Sequence, residues 1–99
     1  MNLPTLTGAQ KTELRSLGQK LSDSLRVGRQ GSTPALFTEL NRQLDGRELV
    51  KLRFEGSDRD ERAALCDRIA AGAPCLCVGA VGHTALFWRP GAAGSRLLA

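Results

Sequence analysis

"SLRVGRQGSTPALF", Ser24–Phe37, carries a strand, a break and a helix start in one short run. Leu25 and Val27 point one way and Ser24 and Arg26 the other, the period-two alternation of a half-buried strand. Gly28-Arg29-Gln30-Gly31 then interrupts the chain. Thr33 stands where a helix start needs a hydroxyl to accept a backbone N–H. Pro34 follows at the first helical position, where its fixed φ suits the turn and its missing N–H is not needed. Leu36, Phe37, Leu40 and Leu44 continue as an apolar stripe. This predicts a helix ending near Asp45-Gly46, with Gly46 as a left-handed cap.

A strand feeding a helix is half of a β-α-β unit, and the other half follows. In "ELVKLRF", Glu48–Phe54, residues Val50, Leu52 and Phe54 share one face and Leu49, Lys51 and Arg53 the other. Upstream, Thr7 and Gln10 form a capping-box pattern, and Leu14, Leu17 and Leu21 recur at helical spacing. A first helix is therefore expected over Thr7–Gln19, after a flexible N-terminus, residues 1–6. Downstream, "EGSD" turns the chain. Asp58, Asp60 and Glu61 crowd the start of a third helix, where the helix dipole favours negative charge. Ala64, Leu65, Cys66 and Ile69 supply its buried side. "CLCVGAVGHTALFWRP" reads as two strands joined by a tight turn at Gly82-His83. Residues 91–99 are expected to form a mobile tail beyond the folded domain, residues 7–90.

The order is thus α-β-α-β-α-β-β. Strands joined through helices pair in parallel, and the closing hairpin adds antiparallel pairing. The expected fold class is an α/β two-layer domain with a small four-stranded mixed sheet and helices mainly on one face. A chain of 99 residues suits one such domain.

The net charge is +4. It lies in the first half: residues 1–53 hold nine Lys/Arg against five Asp/Glu, and the remainder is balanced. A basic field attracts phosphates. Glycines flanking Arg29 and Gln30 suit a loop whose backbone amides, together with the following helix N-terminus, cradle an anion. Arg26, Lys51 and Arg53 leave their strands on a common side if those strands are neighbours. Arg89 extends that side at the far end. The candidate RNA-binding set is therefore Gly28, Arg29, Gln30, Gly31, Arg26, Lys51, Arg53 and Arg89. Phe87 shares the open face with Arg89 as a stacking candidate, while Trp88, alternating with Leu86 and Thr84, points to the core.

Other chemistry is thinly represented. Three cysteines, Cys66, Cys75 and Cys77, accompany a single histidine, His83. The C-x-C spacing is poor for structural zinc, so no metal is expected. Neither G-x-x-x-x-G-K-[ST] nor G-x-G-x-x-G occurs, and no cofactor or small-molecule substrate is expected. There is no apolar run long enough to span a membrane and no basic-then-apolar leader, which leads to the expectation of a cytoplasmic protein that does not engage membranes. An enzyme using Cys75 or Cys77 is the weakest of three readings. A module docking on a ribosomal protein or assembly factor is the alternative to RNA binding.

"LTGAQKTELRSLGQKL…VGRQGSTPALFTELNRQLDGRELVKLRF", with the "DR-x-ER" start of the third helix and the closing "VGH…RP", resembles the YhbY-like proteins, stand-alone bacterial CRM domains. The resemblance spans roughly residues 6–90. It implies a fold similar to the C-terminal domain of translation initiation factor 3. It also implies RNA binding and a role in large-subunit ribosome assembly, with the G-x-x-G loop at Gly28–Gly31 meeting RNA and Lys51 as its basic neighbour. The chain departs from the pattern at Asp23, where many members have Pro, at Ser32, where Leu is common, and at Trp88, in the usual Tyr position.

Overall fold

The computed structural model describes residues 3–98. Met1 and Asn2 of the expected flexible N-terminus, and Ala99 of the expected tail, lie outside the described residues. The elements follow the expected order: α1 (Gly8–Gln19), β1 (Leu25–Val27), α2 (Pro34–Arg47), β2 (Leu49–Phe54), α3 (Arg59–Gly72), β3 (Leu76–Val81) and β4 (Thr84–Trp88).

The helix starts are built as the sequence predicts. The Thr7 hydroxyl accepts from the Gln10 N–H at 3.1 Å while the Gln10 amide oxygen accepts from the Thr7 N–H at 2.9 Å. The Thr33 hydroxyl accepts from Leu36 N–H at 3.2 Å, one residue before Pro34. Asp58 and Glu61 form a second capping box, so those two carboxylates satisfy α3's own first amides. The end of α2 differs from expectation. Gly46 remains helical, and Glu48 closes the helix with φ +68. A non-glycine residue in the left-handed region needs compensation, and Glu48 receives it from the tail, as described below.

The four strands form one sheet in the order β1-β2-β4-β3. Strands β1 and β2 run parallel, with Arg26 beside Arg53 and Val27 beside Phe54. Strand β4 lies antiparallel to β2 and to β3, with a bulge in β3 between Cys77 and Gly79. Helices α2 and α3 cover one face. Leu36, Leu40, Leu44, Leu65 and Ile69 meet Val27, Val50, Leu52, Phe54 and Phe87 there. Fully burying a side chain such as Leu40 contributes about 1.5–3 kcal/mol.

The other face is covered in part by α1, where Leu14 packs with Leu49, Val78, Leu86 and Trp88. The approach is close: a Cβ at Gly18 would stand 2.2 Å from a Leu86 methyl carbon. Helix α1 covers the lower rows of this face and leaves the uppermost row, Arg26, Arg53, Thr84 and Val81, uncovered or half-covered. The terminal segments are docked as well. Leu6 is buried beside α1, and Leu97 and Leu98 pack against the same cluster. The buried Glu48 carboxylate accepts from Trp88 Nε1 at 2.9 Å, from the Arg96 N–H at 2.7 Å and from the Ser95 hydroxyl. The described part of the expected mobile tail is thus pinned to the α2–β2 junction.

Candidate nucleic-acid interface

Three connections converge on one end of the sheet. The Val27 carbonyl accepts from the Glu55 N–H at 2.9 Å, which draws the loop after β1 against the turn after β2. The His83 carbonyl accepts from the Phe54 N–H at 2.7 Å, which adds the β3–β4 turn. The starts of α2 and α3 therefore share one end of the domain with both loops and the hairpin tip.

The Gly28–Gly31 loop closes with a hydrogen bond from the Gly31 N–H to the Gly28 carbonyl at 3.0 Å. Gly31 has φ +72, a conformation that favours glycine. Gly28 does not use that freedom; a Cβ there would meet nothing within 4 Å. Among the described residues, the amides of Arg29, Gln30, Ser32 and Ala35 donate to no protein acceptor. Arg29, Gln30 and Ser32 border a cleft of about 560 Å³ between the loop, the Gly56-Ser57 turn and the α3 residues Glu61, Leu65 and Arg68.

Arg29 is exposed and has no ion-pair partner among the described residues. Its aliphatic stem crosses over Gly56, where a Cβ would lie 2.6 Å from Arg29 Cγ. Gly56 has φ +74, so the turn after β2 is shaped to let Arg29 lie across it. A chain-local reading of the sequence cannot find this contact, because the two residues belong to different connections.

The basic side chains expected on the sheet divide into two groups. Arg26 and Arg53 are direct neighbours across β1 and β2 and both are exposed. Each has a carboxylate at 3.4 Å, Glu55 for Arg26 and the half-buried Asp23 for Arg53; an exposed pair such as Arg26–Glu55 exchanges readily with solvent or a phosphate. Lys51 and Arg89 depart from expectation. Lys51 Nζ donates to the Gly18 and Leu21 carbonyls, both at 3.3 Å, where it satisfies the C-terminal end of α1. Arg89 is buried and donates to Asn41 Oδ1 at 2.7 Å, Asp45 Oδ1 at 2.9 Å and the Pro74 carbonyl at 3.4 Å. It lies at the opposite end of the sheet from the loop. Phe87 and Arg89 do not share the face of Arg26, Lys51 and Arg53: Phe87 pairs with Val50 and is fully buried beneath α2 and α3, closed to stacking, and Arg89 reaches α2 on that same side, whereas Trp88 belongs to the core on the α1 side.

Among the described residues, no hydrogen bond joins a thiol to His83. Cys75 is buried, and burial pushes its thiol up to about 12. Cys77 is exposed, and a hydrogen bond from Cys66 lowers its thiol while raising that of Cys66. The His83 ring faces Arg62 at 3.2 Å. Among the described residues, no three His, Cys, Asp or Glu side chains form a metal-binding group, and no helix is long and apolar enough to cross a membrane.

The model of the CRS1/YhbY (CRM) domain family matches residues 6–89, from the buried Leu6 to the buried Arg89. The chain belongs to the CRM domain family. It is 36% identical over 84 residues to a Pseudomonas aeruginosa protein named "Probable RNA-binding protein", covering 85% of this chain and 81% of that one. It is 27% identical over 88 residues to a Haemophilus influenzae protein named "RNA-binding protein", covering 89% of each. The solution structure of a hypothetical Staphylococcus aureus protein superposes with a TM-score of 0.77 at 25% identity, covering 86% of this chain and 88% of that one. The CRM match includes every element from α1 to β4, so the loop cleft and the buried Arg89 cluster both lie within the domain.

Proposed function

We propose that this CRM domain binds RNA at the loop end of its sheet, and that its target is ribosomal RNA of the large subunit during assembly in the cytoplasm. The observation that carries the reading is the group of loop amides without protein acceptors beside an unpaired Arg29. Such donors coordinate phosphate oxygens without requiring a particular base. Arg26 and Arg53 continue the positive surface along the uncovered row of the sheet. Relatives named as RNA-binding proteins support the ligand class. The choice of large-subunit RNA rests on the resemblance to YhbY-like proteins. Binding rather than catalysis is the proposed mode of action, since the histidine and the thiols serve separate contacts.

Crosslinking in cells, followed by mapping of the attached RNA, tests both parts. Wild-type reads are expected to concentrate in large-subunit rRNA, and Arg29→Glu is expected to reduce them at least about tenfold, as charge reversal at a phosphate contact should. Reads spread across messenger RNAs would overturn the target. An unchanged map for folded Arg29→Glu would overturn the loop.

A further inference from the structure

A second cleft lies on the other side of the α3 start. Phe54, Cys66 and Ala85 form its apolar floor, Arg59 and Arg62 its rim, and the hairpin at Gly82 its far wall. Its volume is about 440 Å³, within the range of small-ligand sites.

Arg62 is held in place there. Its Nη1 donates to the Ser57 carbonyl at 2.8 Å and lies 3.2 Å from His83 Nδ1. A guanidinium only donates, so His83 Nδ1 accepts and the ring proton sits on Nε2, leaving that N–H as a further donor. Neither Arg59 nor Arg62 has a carboxylate within ion-pair distance among the described residues. The nearby Asp58 and Glu61 carboxylates accept from each other's backbone amides in the α3 capping box; Asp60 and Asp67 are exposed acidic neighbours, Asp67 being close enough to act on the Cys66 thiol in the floor.

A fixed, half-buried guanidinium with no carboxylate within ion-pair distance, beside an apolar floor, offers donors for phosphate or ribose and a dry wall for the rest of a nucleotide, although Phe54, 2% exposed, is closed to stacking. The cleft is also connected to the loop site. Ser57 holds Arg62 with its carbonyl and also lines the loop cleft. We infer that the α3–hairpin cleft is a second nucleotide subsite, which receives a residue of the same RNA strand after the strand passes over the Glu55–Asp58 turn. This rests on the loop reading above.

The test compares single-stranded RNAs of about 4 and about 12 nucleotides, one at the lower limit and one well inside the range of site sizes of small single-strand binders. Ala63→Glu sets a carboxylate at the cleft from an exposed helical position and leaves Arg62 in the sequence, and Arg59→Gln removes a rim charge that has no ion pair among the described residues. Both variants are expected to bind the short RNA as the wild type does and the long RNA about three- to tenfold more weakly. For Arg59→Gln the salt dependence should become shallower by about 0.7 in slope, the share of a single phosphate that Arg59 would otherwise neutralise. Arg29→Glu is expected to weaken both lengths. If Arg29→Glu weakens binding while Ala63→Glu and Arg59→Gln match the wild type on the long RNA, the subsite is overturned and the loop stands. If Arg29→Glu changes neither length, the loop reading fails and the subsite with it.

Discussion

Arg29 and Arg89 sit at opposite ends of one sheet and do opposite things. At the Arg89 end, each strong polar group has a partner. The guanidinium donates to Asn41, Asp45 and Pro74, its backbone N–H donates to the Glu48 carbonyl, and the Glu48 carboxylate collects Trp88, Ser95 and Arg96. At the Arg29 end, the amides of Arg29, Gln30 and Ser32 and the Arg29 guanidinium are without partners among the described residues. The difference lies in what the fold consumes and not in residue type. A buried arginine whose four terminal N–H groups are engaged holds the structure together, whereas an exposed one beside free amides is available to a ligand.

The largest expected effect comes from cutting the closed end. Arg89→Ala should lower unfolding free energy by about 2–4 kcal/mol, because it leaves Asn41 and the Pro74 carbonyl unmatched and opens a cavity. Asp45 adds little to this figure, since its side chain is 76% exposed. Denaturant titration measures the loss. RNA affinity of the folded fraction should stay at the wild-type level, and a selective loss of RNA binding at unchanged stability would break the contrast between the two ends.

Acidification acts on the same end more gently. Burial alone would raise the Glu48 pKa, but hydrogen bonds from Ser95, Arg96, Trp88 and Leu97 outweigh it and hold the carboxyl below its ordinary value of 4.5. A carboxyl depressed on folding contributes stability that is complete above that value and is lost as pH falls through the folded-state pKa. Thermal melting should therefore weaken as pH drops below about 4.5, with the Trp88 fluorescence reporting the tail's release. Glu48→Gln should flatten this acid limb; an equally steep limb in that variant would assign the sensitivity to other carboxylates.

Much of the fold was legible because its signals are local. Alternation marked β2, Thr33-Pro34 and Thr7/Gln10 marked helix starts, and the Gly82-His83 turn marked the hairpin. Parity along β4 set Phe87 and Trp88 on opposite faces but exchanged the faces: Phe87 pairs with Val50 on the α2–α3 side, and Thr84, Leu86 and Trp88 share the side of Lys51 and Arg53. It could not show that both faces are covered at that end, because α1 and α2 reach them from distant parts of the chain. Lys51 was misleading for the same reason: an alternating basic residue looks solvent-facing until α1 presents two carbonyls to it. Glu48 displaced Gly46 as the α2 cap because tail contacts offset the strain at its positive φ, a tertiary effect overriding a local preference. At the site, Gly31 and Arg29 were readable, but Gly56 beneath Arg29 and Arg62 beside His83 were not. The Asp58–Arg62 run carries a capping signal strong enough to account for its charges without the cleft.

The most direct measurement is an NMR titration of the isotopically labelled domain with a short single-stranded RNA, following every backbone amide. Shifts concentrated at Arg29, Gln30, Ser32 and Ala35, with the amides of Glu48, Arg89 and Arg96 unmoved, are the predicted result. Shifts centred on Glu48, Arg89 and Arg96, with the loop amides silent, would contradict it.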